Sequence, residues 1–304
     1  MIRYALTLCL ALAACGSPAP RAPVEAPGSS PIAPRFADLK PHDWEGRAPH
    51  FYTVHGIDVS RYQGDIDWST ARRAGVNFAY IKATEGGDFI DPKFDDHRRG
   101  ARRAGVRWGA YHFYYWCRPA EEQARWFIRN VPRDASALPH VLDMEWNPFS
   151  PTCVVRPPGA EVRRQAQIFL DIVERYYGQR PIIYTTPKFY RENDLDSFRG
   201  YDFWLRTTAK TPAETYPGQT WRFWQYSATG IVPGIGGDVD LNAFSGSRAD
   251  WQNWVATRAL RWARHCLMDW IGVTVAGAGD PLVAILLDEA LADGGEGDIP
   301  LVGL

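Results

Sequence analysis

Strand-like and helix-like segments alternate along the chain from His55 to Trp254. Short runs rich in β-branched and aromatic residues predict strands, and amphipathic runs that end at glycine predict helices. About 200 residues of this kind are enough for one large domain with a single core. The predicted strands cover residues 55–60, 76–83, 106–114, 138–145, 181–186, 203–207, 221–227 and 238–244.

The predicted helices are strongest in the first half of this region, at residues 68–75, 91–105, 119–130 and 159–178. Weaker helical segments separate the later strands. Eight strands with early alternation predict an α/β fold: a TIM-like (β/α) barrel of parallel strands with an irregular, helix-poor second half. The barrel is expected to span residues 51–255. An open doubly wound sheet is the alternative architecture.

Polar side chains gather near the carboxyl ends of the predicted strands. In a barrel of parallel strands these ends meet at one mouth, where catalytic groups are placed. Polarity scattered over a surface would not follow the strand ends in this way. The residues concerned are Asp58, Lys82, Glu85, Tyr111, His112, Asp143, Glu145, Tyr184, Gln225 and Asp240.

Two of these residues, Asp143 and Glu145, are two positions apart at the end of a buried strand. Side chains alternate faces along a strand, so both carboxylates point the same way and lie roughly 7 Å apart. Their repulsion favours one proton on the pair near neutral pH, as an acid and its partner need for cleaving glycosidic bonds. A solvated strand end is the alternative interpretation.

Aromatic residues follow the same strands, and Tyr62 and Trp204 are examples. Each one alone fits core packing, but aromatic rings beside carboxylates suit a groove that stacks on sugars. The formal net charge is −1, and the paired basic residues fall on predicted helices. Nucleic acid is therefore not an expected partner. Without a glycine-rich phosphate loop or a zinc-ligand spacing, we expect no cofactor and no metal site.

Seven short motifs between about residues 54 and 255 together resemble the glycoside hydrolase family 25 lysozymes. Each motif alone is weakly specific, and their number and order carry the resemblance. The motifs are GIDVSRYQG from Gly56, IKATEG from Ile81, GAYHF from Gly109, LDME from Leu142, PIIYT from Pro181, WQYS from Trp224 and DVDLN from Asp238.

The resemblance implies a barrel of eight strands and cleavage of the β-1,4 bond between N-acetylmuramic acid and N-acetylglucosamine in peptidoglycan. It implies that Glu145 is the general acid, that Asp143 is its carboxylate partner, and that Asp58 and Asp240 are further acidic groups of the cleft. Together with the residues at the strand ends and the aromatic residues, it gives the expected substrate-binding set: Tyr62, Glu85, Tyr111, Tyr184, Trp204 and Gln225.

The acid must hold its proton near neutral pH, so Glu145 should have a raised pKa. We favour substrate assistance, in which Asp143 orients the 2-acetamido oxygen and the anomeric configuration is retained. Activation of water by Asp58 or Asp143, with inversion, stays open. Other candidate functions are a chitinase-like hydrolase, a peptidoglycan-binding module without turnover, and a metal-dependent hydrolase that uses His112 among the acidic residues. We expect a monomer.

The first 14 residues have the pattern of a signal peptide, with Arg3 followed by a short apolar core. The sequence Leu-Ala-Ala-Cys that ends at Cys15 resembles the bacterial lipobox, which implies a lipid on this thiol; simple secretion is the alternative. Because Gly16 and not aspartate follows, we expect an outer-membrane anchor that faces the periplasm. Residues 15–50, rich in proline and alanine, are predicted to be a disordered tether.

Cys117 and Cys153 follow successive predicted strands, whose loops are neighbours in a parallel barrel, and exported proteins meet oxidising conditions. A disulfide between them is therefore expected, and two free thiols are the alternative. Cys266 is then left unpaired. Residues 256–304 form a C-terminal appendage to which we assign no role.

Overall fold

Eight strands close into a barrel, as the sequence predicted. The structure is a computed structural model that describes residues 30–258, 265, 267 and 268. The barrel order is β2-β3-β5-β6-β7-β8-β9-β10, while β1 extends the sheet beside β9 and β4 pairs with β3. The strands are β1 (Ala37–Asp38), β2 (His55–Val59), β3 (Val76–Glu85), β4 (Phe89–Ile90), β5 (Arg107–Phe113), β6 (Val141–Met144), β7 (Ile182–Thr185), β8 (Phe203–Arg206), β9 (Phe223–Ile231) and β10 (Val239–Phe244).

Long helices flank only the first half of the barrel, which confirms the predicted asymmetry. The helix that follows β7 has 6 residues and the helix that follows β8 has 4, against 19 in the helix after β6. The helices are α1 (Trp68–Arg73), α2 (Phe94–Arg103), α3 (Ala120–Asn130), α4 (Gly159–Tyr177), α5 (Pro187–Glu192) and α6 (Pro212–Thr215), with 3-10 turns at Pro49–Phe51, Arg61–Gln63 and Leu195–Ser197.

The last strand runs against the others, so the prediction of an all-parallel barrel is wrong at β10. Strands β2, β3 and β5 to β9 are parallel to their neighbours, but β10 pairs antiparallel with both β9 and β2. Only residues 232–238 join β9 to β10, which is too short for a parallel crossover. Asp240 therefore lies near the start of its strand, yet opposite Asp58 at the mouth.

Aromatic rings fill the lower part of the lumen, at the amino ends of the parallel strands. Phe78 and Phe223 pack with ring centroids 4.9 Å apart, and Tyr80 stacks on Trp204 at the same separation. Residues 248–258 are helical and close this end, where two tryptophans of that helix contact the rings. Gly109 leaves room for the Tyr80 ring, because a Cβ there would lie 2.5 Å from it.

The N-terminal segment (residues 31–52) packs along the outer face of the barrel, so the predicted disordered tether is wrong for the described residues up to 50. The Ile32 amide donates a hydrogen bond of 2.7 Å to Asn77 Oδ1. Trp44 meets Trp224 edge-on, with ring centroids 5.0 Å apart. The tether prediction failed because backbone pairing and the partly buried rings of Phe36 and Trp44 hold this segment without any hydrophobic periodicity.

The predicted disulfide is confirmed: Cys117 and Cys153 are bonded, with Cα atoms 5.7 Å apart. It joins the loops that follow β5 and β6. Among the described residues, none of the helices is both long and apolar enough to cross a membrane. The predictions for the signal peptide, for Cys15, for Cys266 and for most of residues 256–304 lie outside the described residues.

Candidate active site

The four predicted catalytic carboxylates line one cleft at the mouth of the barrel. The cleft has a volume of about 640 Å³. Alternation along the strands directs these side chains inward, on the same faces as the aromatic rings below them. The cleft is lined by Asp58, Val59, Ser60, Tyr62, Gln63, Lys82, Tyr111, Phe113, Asp143, Glu145, Trp146, Asn147, Pro148, Phe149, Tyr184, Trp204, Arg206, Gln225, Ala228 and Asp240.

Asp58 is held by amide donors from the neighbouring strands. Gln225 Nε2 and Asn242 Nδ2 both donate to Asp58 Oδ2, at 2.9 and 2.8 Å. The Tyr184 hydroxyl in turn donates to Gln225 Oε1 at 2.9 Å. Burial raises the pKa of Asp58 to about 6, against the opposing effect of the two amides. This network fixes the carboxylate in one orientation.

Asp143 is buried and Glu145 is half-buried, and each has a raised pKa. Burial raises the pKa of Glu145 to about 7, with a further contribution from the charge of Asp58. Burial, followed by the charge of Glu145, raises the pKa of Asp143 well above its usual value. The charge of Asp143 was expected to raise the pKa of Glu145, but the rise comes from desolvation and then from the charge of Asp58. Asp143 Oδ1 is buried and has no hydrogen-bond partner in the described structure.

Asp240 lies opposite Asp58 in the register of β10 and β2. Burial and the charge of Asp58 raise the pKa of Asp240 to about 9. Like charges that are buried side by side cannot both ionise at low cost, so this pair shares protons near neutral pH. The cleft therefore holds two coupled carboxyl pairs rather than one.

Two cations balance these carboxylates: Lys82, which was predicted at the mouth from its strand end, and Arg206, which was not predicted. Arg206 ends β8 and lowers the pKa of Glu145 and of Asp58 against the effect of burial. Lys82 Nζ lies 4.8 Å from the centre of the Phe113 ring. The position of Arg206, two residues after the inward-facing Trp204, was the signal that could have found it.

The sequence profile described as Glycosyl hydrolases family 25 matches residues 57–235, more than half of the 304 residues. The match includes all the site residues above except Asp240 and Asn242. The chain belongs to glycosyl hydrolase family 25. It is therefore a glycoside hydrolase, as the sequence motifs predicted.

Characterised relatives of this family 25 domain agree with the assignment. The chain is 40% identical over 213 residues to lysozyme M1 of Streptomyces globisporus, a match that covers 64% of this chain and 69% of the relative. A lysozyme structure from Streptomyces coelicolor is 37% identical with a TM-score of 0.60, covering 68% and 98% of the two chains. A family 25 glycosyl hydrolase from Bacillus anthracis is 32% identical with a TM-score of 0.63, covering 70% and 98%.

Five of the six residues predicted to bind substrate line the cleft of this family 25 domain. Tyr62 is 76% exposed at the rim, whereas Trp204 is buried, with Tyr80 on one face of its ring. Glu85 is the exception, because its two oxygens accept hydrogen bonds from Lys82 and from the Tyr115 hydroxyl. Glu85 does not line the cleft, and both of its oxygens already have partners.

His112 was expected at the mouth but points away from the lumen. It follows Tyr111, whose side chain faces inward, so alternation turns the imidazole toward the helices. There it lies 2.8 Å from Thr84 Oγ1 and 3.1 Å from Gln123 Oε1. The proposed metal site of His112 with the acidic residues is therefore not assembled. Among the residues that the structure describes, no three histidine, cysteine, aspartate or glutamate side chains are placed so that they could hold a metal ion.

Of the loop that follows Glu145, only Trp146 was expected at the site, as one of the aromatic residues that follow the strands. Trp146, Asn147, Pro148 and Phe149 form one wall of the cleft, and Phe149 is 93% exposed. Sequence patterns gave no position for this loop, because it has no regular structure of its own.

Proposed function

We propose that this family 25 hydrolase is a lysozyme that cleaves the β-1,4 bond between N-acetylmuramic acid and N-acetylglucosamine in peptidoglycan. The names of its relatives support this substrate. The observation that carries the proposal is the pair of Asp143 and half-buried Glu145 that lines an open cleft, with the pKa of Glu145 raised to about 7. A binding module without turnover would have no use for a carboxyl that retains its proton at this pH.

In the proposed mechanism Glu145 is the general acid. As the bond between C1 and the leaving oxygen breaks, Glu145 transfers its proton to that oxygen. The raised pKa keeps the proton available at neutral pH. In the second half of the reaction the ionised Glu145 accepts a proton from the attacking water, which restores the starting state.

Asp143 is proposed to act on the 2-acetamido group of the substrate. Its unpartnered Oδ1 can accept the hydrogen bond of the acetamido N–H, which turns the acetamido oxygen toward C1. That oxygen forms a bond to C1 as the leaving group departs, and water then opens the resulting ring. Two displacements at C1 retain the anomeric configuration.

The second carboxyl pair is assigned to electrostatic stabilisation and positioning. Asp58 is fixed by Gln225 and Asn242, so its charge lies at a set position near the developing oxocarbenium ion. Asp240 shares protons with Asp58, so the charge on Asp58 depends on the protonation of Asp240. Tyr111, whose pKa is raised well above its usual value by burial and then by the charges of Asp58 and Asp143, stays protonated and can donate a hydrogen bond.

Analysis of the released products tests the proposed function. Purified peptidoglycan is digested, the new reducing ends are reduced with borohydride, and the fragments are identified by mass spectrometry. We expect reduced muramic acid at the new ends. Reduced glucosamine at those ends would contradict the cleavage position, and an absence of release would contradict hydrolysis. The anomer formed first, read by proton NMR, separates retention from inversion.

We further propose that the protein is a lipoprotein anchored through Cys15 in the outer membrane, facing the periplasm. The lipobox-like sequence and Gly16 support this location. Replacing Cys15 with serine should prevent lipid attachment and normal signal cleavage. Membrane fractionation with metabolic labelling by a fatty acid checks this, and unchanged membrane partitioning of the variant would contradict the proposal.

A further inference from the structure

A second pocket opens beside the cleft, between the loops that follow β5 and β6. We call it the side pocket. Its volume is about 150 Å³, and Trp146, Asn147 and Pro148 line both it and the cleft. Trp116 and Arg156 line only the side pocket. The side pocket and the cleft are therefore neighbours that share one wall.

The side pocket is held in a fixed position relative to Glu145. The indole N–H of Trp116 donates to the Glu145 carbonyl oxygen at 3.1 Å, and the Trp116 ring stacks on Phe189. The disulfide between Cys117 and Cys153 joins the two loops that form the walls. Since loops without regular structure are mobile unless they are tied down, these contacts make the side pocket a preformed feature.

Arg156 gives the side pocket a positive charge that is not neutralised by a neighbour. Its guanidinium lies 5.2 Å from the centre of the Trp146 ring, and no carboxylate of residues 30–258 is within ion-pair distance of it. By contrast Arg118, at the same end of the barrel, pairs with Asp88 and Glu122. The Arg156 side chain is exposed beside the aromatic ring, and a guanidinium is the group that binds a carboxylate through two hydrogen bonds.

We propose that the side pocket binds the carboxylate-bearing substituent on the 3-oxygen of muramic acid, with Arg156 contacting the carboxylate. This inference rests on the proposed lysozyme function. With Glu145 at the cleaved bond, the muramic acid lies beside Trp146, and its substituent points out of the cleft within one ring of that bond. N-acetylglucosamine lacks this substituent, so the side pocket distinguishes peptidoglycan from chitin. The carboxylate belongs either to the lactyl ether or to the peptide attached to it.

The test compares Arg156→Gln with the unchanged protein on two substrates. One is intact peptidoglycan, and the other is the same material after an amidase has removed the peptides and left the lactyl carboxylates. Loss of a charge-assisted contact should raise the apparent KM roughly 10-fold and leave kcat within about twofold. Arg156→Lys should restore part of the loss. Arg125→Gln, an equal change of charge on the exposed face of α3, is the matched control and should change neither constant.

Each outcome separates the sources of the carboxylate or overturns the inference. A rise in KM on intact peptidoglycan alone assigns the contact to the peptide, and a rise on the stripped glycan alone assigns it to the lactyl group. A rise on both supports recognition of whichever carboxylate the substituent presents. An unchanged KM on both substrates, or the same rise with Arg125→Gln, overturns the proposal. If the unchanged protein releases no fragments with muramic acid ends, the proposed function fails instead.

Discussion

The same strands build both halves of the barrel lumen, with aromatic side chains in the lower half and charged or polar side chains in the upper half. Tyr80 and Lys82 lie two residues apart on β3, and Trp204 and Arg206 lie two apart on β8. Tyr80 packs within the aromatic lower half and Trp204 stacks on it at the floor of the cleft, whereas Lys82 and Arg206 line the cleft above them. One step of two residues along a strand separates packing from chemistry.

The comparison shows that the packing of the lower half sets the pKa values of the carboxyl groups in the upper half. The rings below exclude water from the floor of the cleft, and burial is the largest cause of the raised pKa of Glu145, Asp58 and Asp240. A charged group transferred from water to such a floor loses hydration energy, so its neutral form is favoured. The lower half should therefore determine the stability of the fold. The upper half should determine activity, and its buried carboxyl groups should lower stability.

The largest expected effect is on activity in the upper half. Glu145→Gln should fold normally and lose at least 10²–10⁴-fold in turnover, because an amide cannot deliver the proton. Release of soluble muropeptides from purified peptidoglycan measures the loss. Glu45→Gln, the same change at an exposed position, is the control and should keep full activity. Digestion by folded Glu145→Gln at close to the normal rate would mean that the acid has been misidentified.

The next effect is on stability in the lower half. Phe223→Ala removes a fully buried ring that packs against Phe78 and Trp254, and it should cost about 3–5 kcal/mol of unfolding free energy. Phe149→Ala, at the rim, should change stability by less than about 0.5 kcal/mol. Urea unfolding monitored by circular dichroism checks both. Equal losses for the two variants would break the distinction between the halves.

Loss of the disulfide should have a smaller effect on the free energy of unfolding. The bond holds the loops at the mouth, where the aromatic packing of the lower half is absent. Replacing Cys117 and Cys153 together with serine should lower the unfolding free energy by roughly 2–4 kcal/mol. Urea unfolding of the double variant measures this loss. An unchanged unfolding free energy would show that the two mouth loops hold their positions without the bond.

The smallest effect is a dependence of stability on pH. Glu145 has a folded pKa of about 7, above the value of 4.5 expected when unfolded, so the folded state binds its proton more tightly. The resulting stabilisation is complete below pH 4.5 and is lost as the pH rises through about 7. Between pH 5 and 8 the unchanged protein should therefore lose more stability than Glu145→Gln, by roughly 1–3 kcal/mol.

Urea unfolding at the two pH values checks this prediction, and parallel slopes for the two proteins would contradict it. The activity should also fall above about pH 7, as Glu145 loses its proton. Because Asp240 has a folded pKa of about 9, its share of the stabilisation should persist to higher pH than that of Glu145.

Much of the fold could be predicted because its signals are local. The strand pattern predicted all eight barrel strands, and the four helices of the first half were placed to within a few residues. The carboxylate pair of Asp143 and Glu145 was visible because strand alternation is a short-range property. The antiparallel direction of β10 was not predicted. The connection before it is too short for the crossover that a parallel strand needs, and this length was not considered.

The sequence by itself determined which residues could carry the chemistry and on which strand faces they lie, since alternation depends only on the backbone. The tertiary structure alone decided which of them share a water-poor cleft. It brought Asp58 and Asp240 opposite each other, tied Glu85 to Lys82, turned His112 outward and added Arg206. The physical reason is that desolvation and charge coupling depend on distances between strands far apart in the chain, which local patterns do not contain.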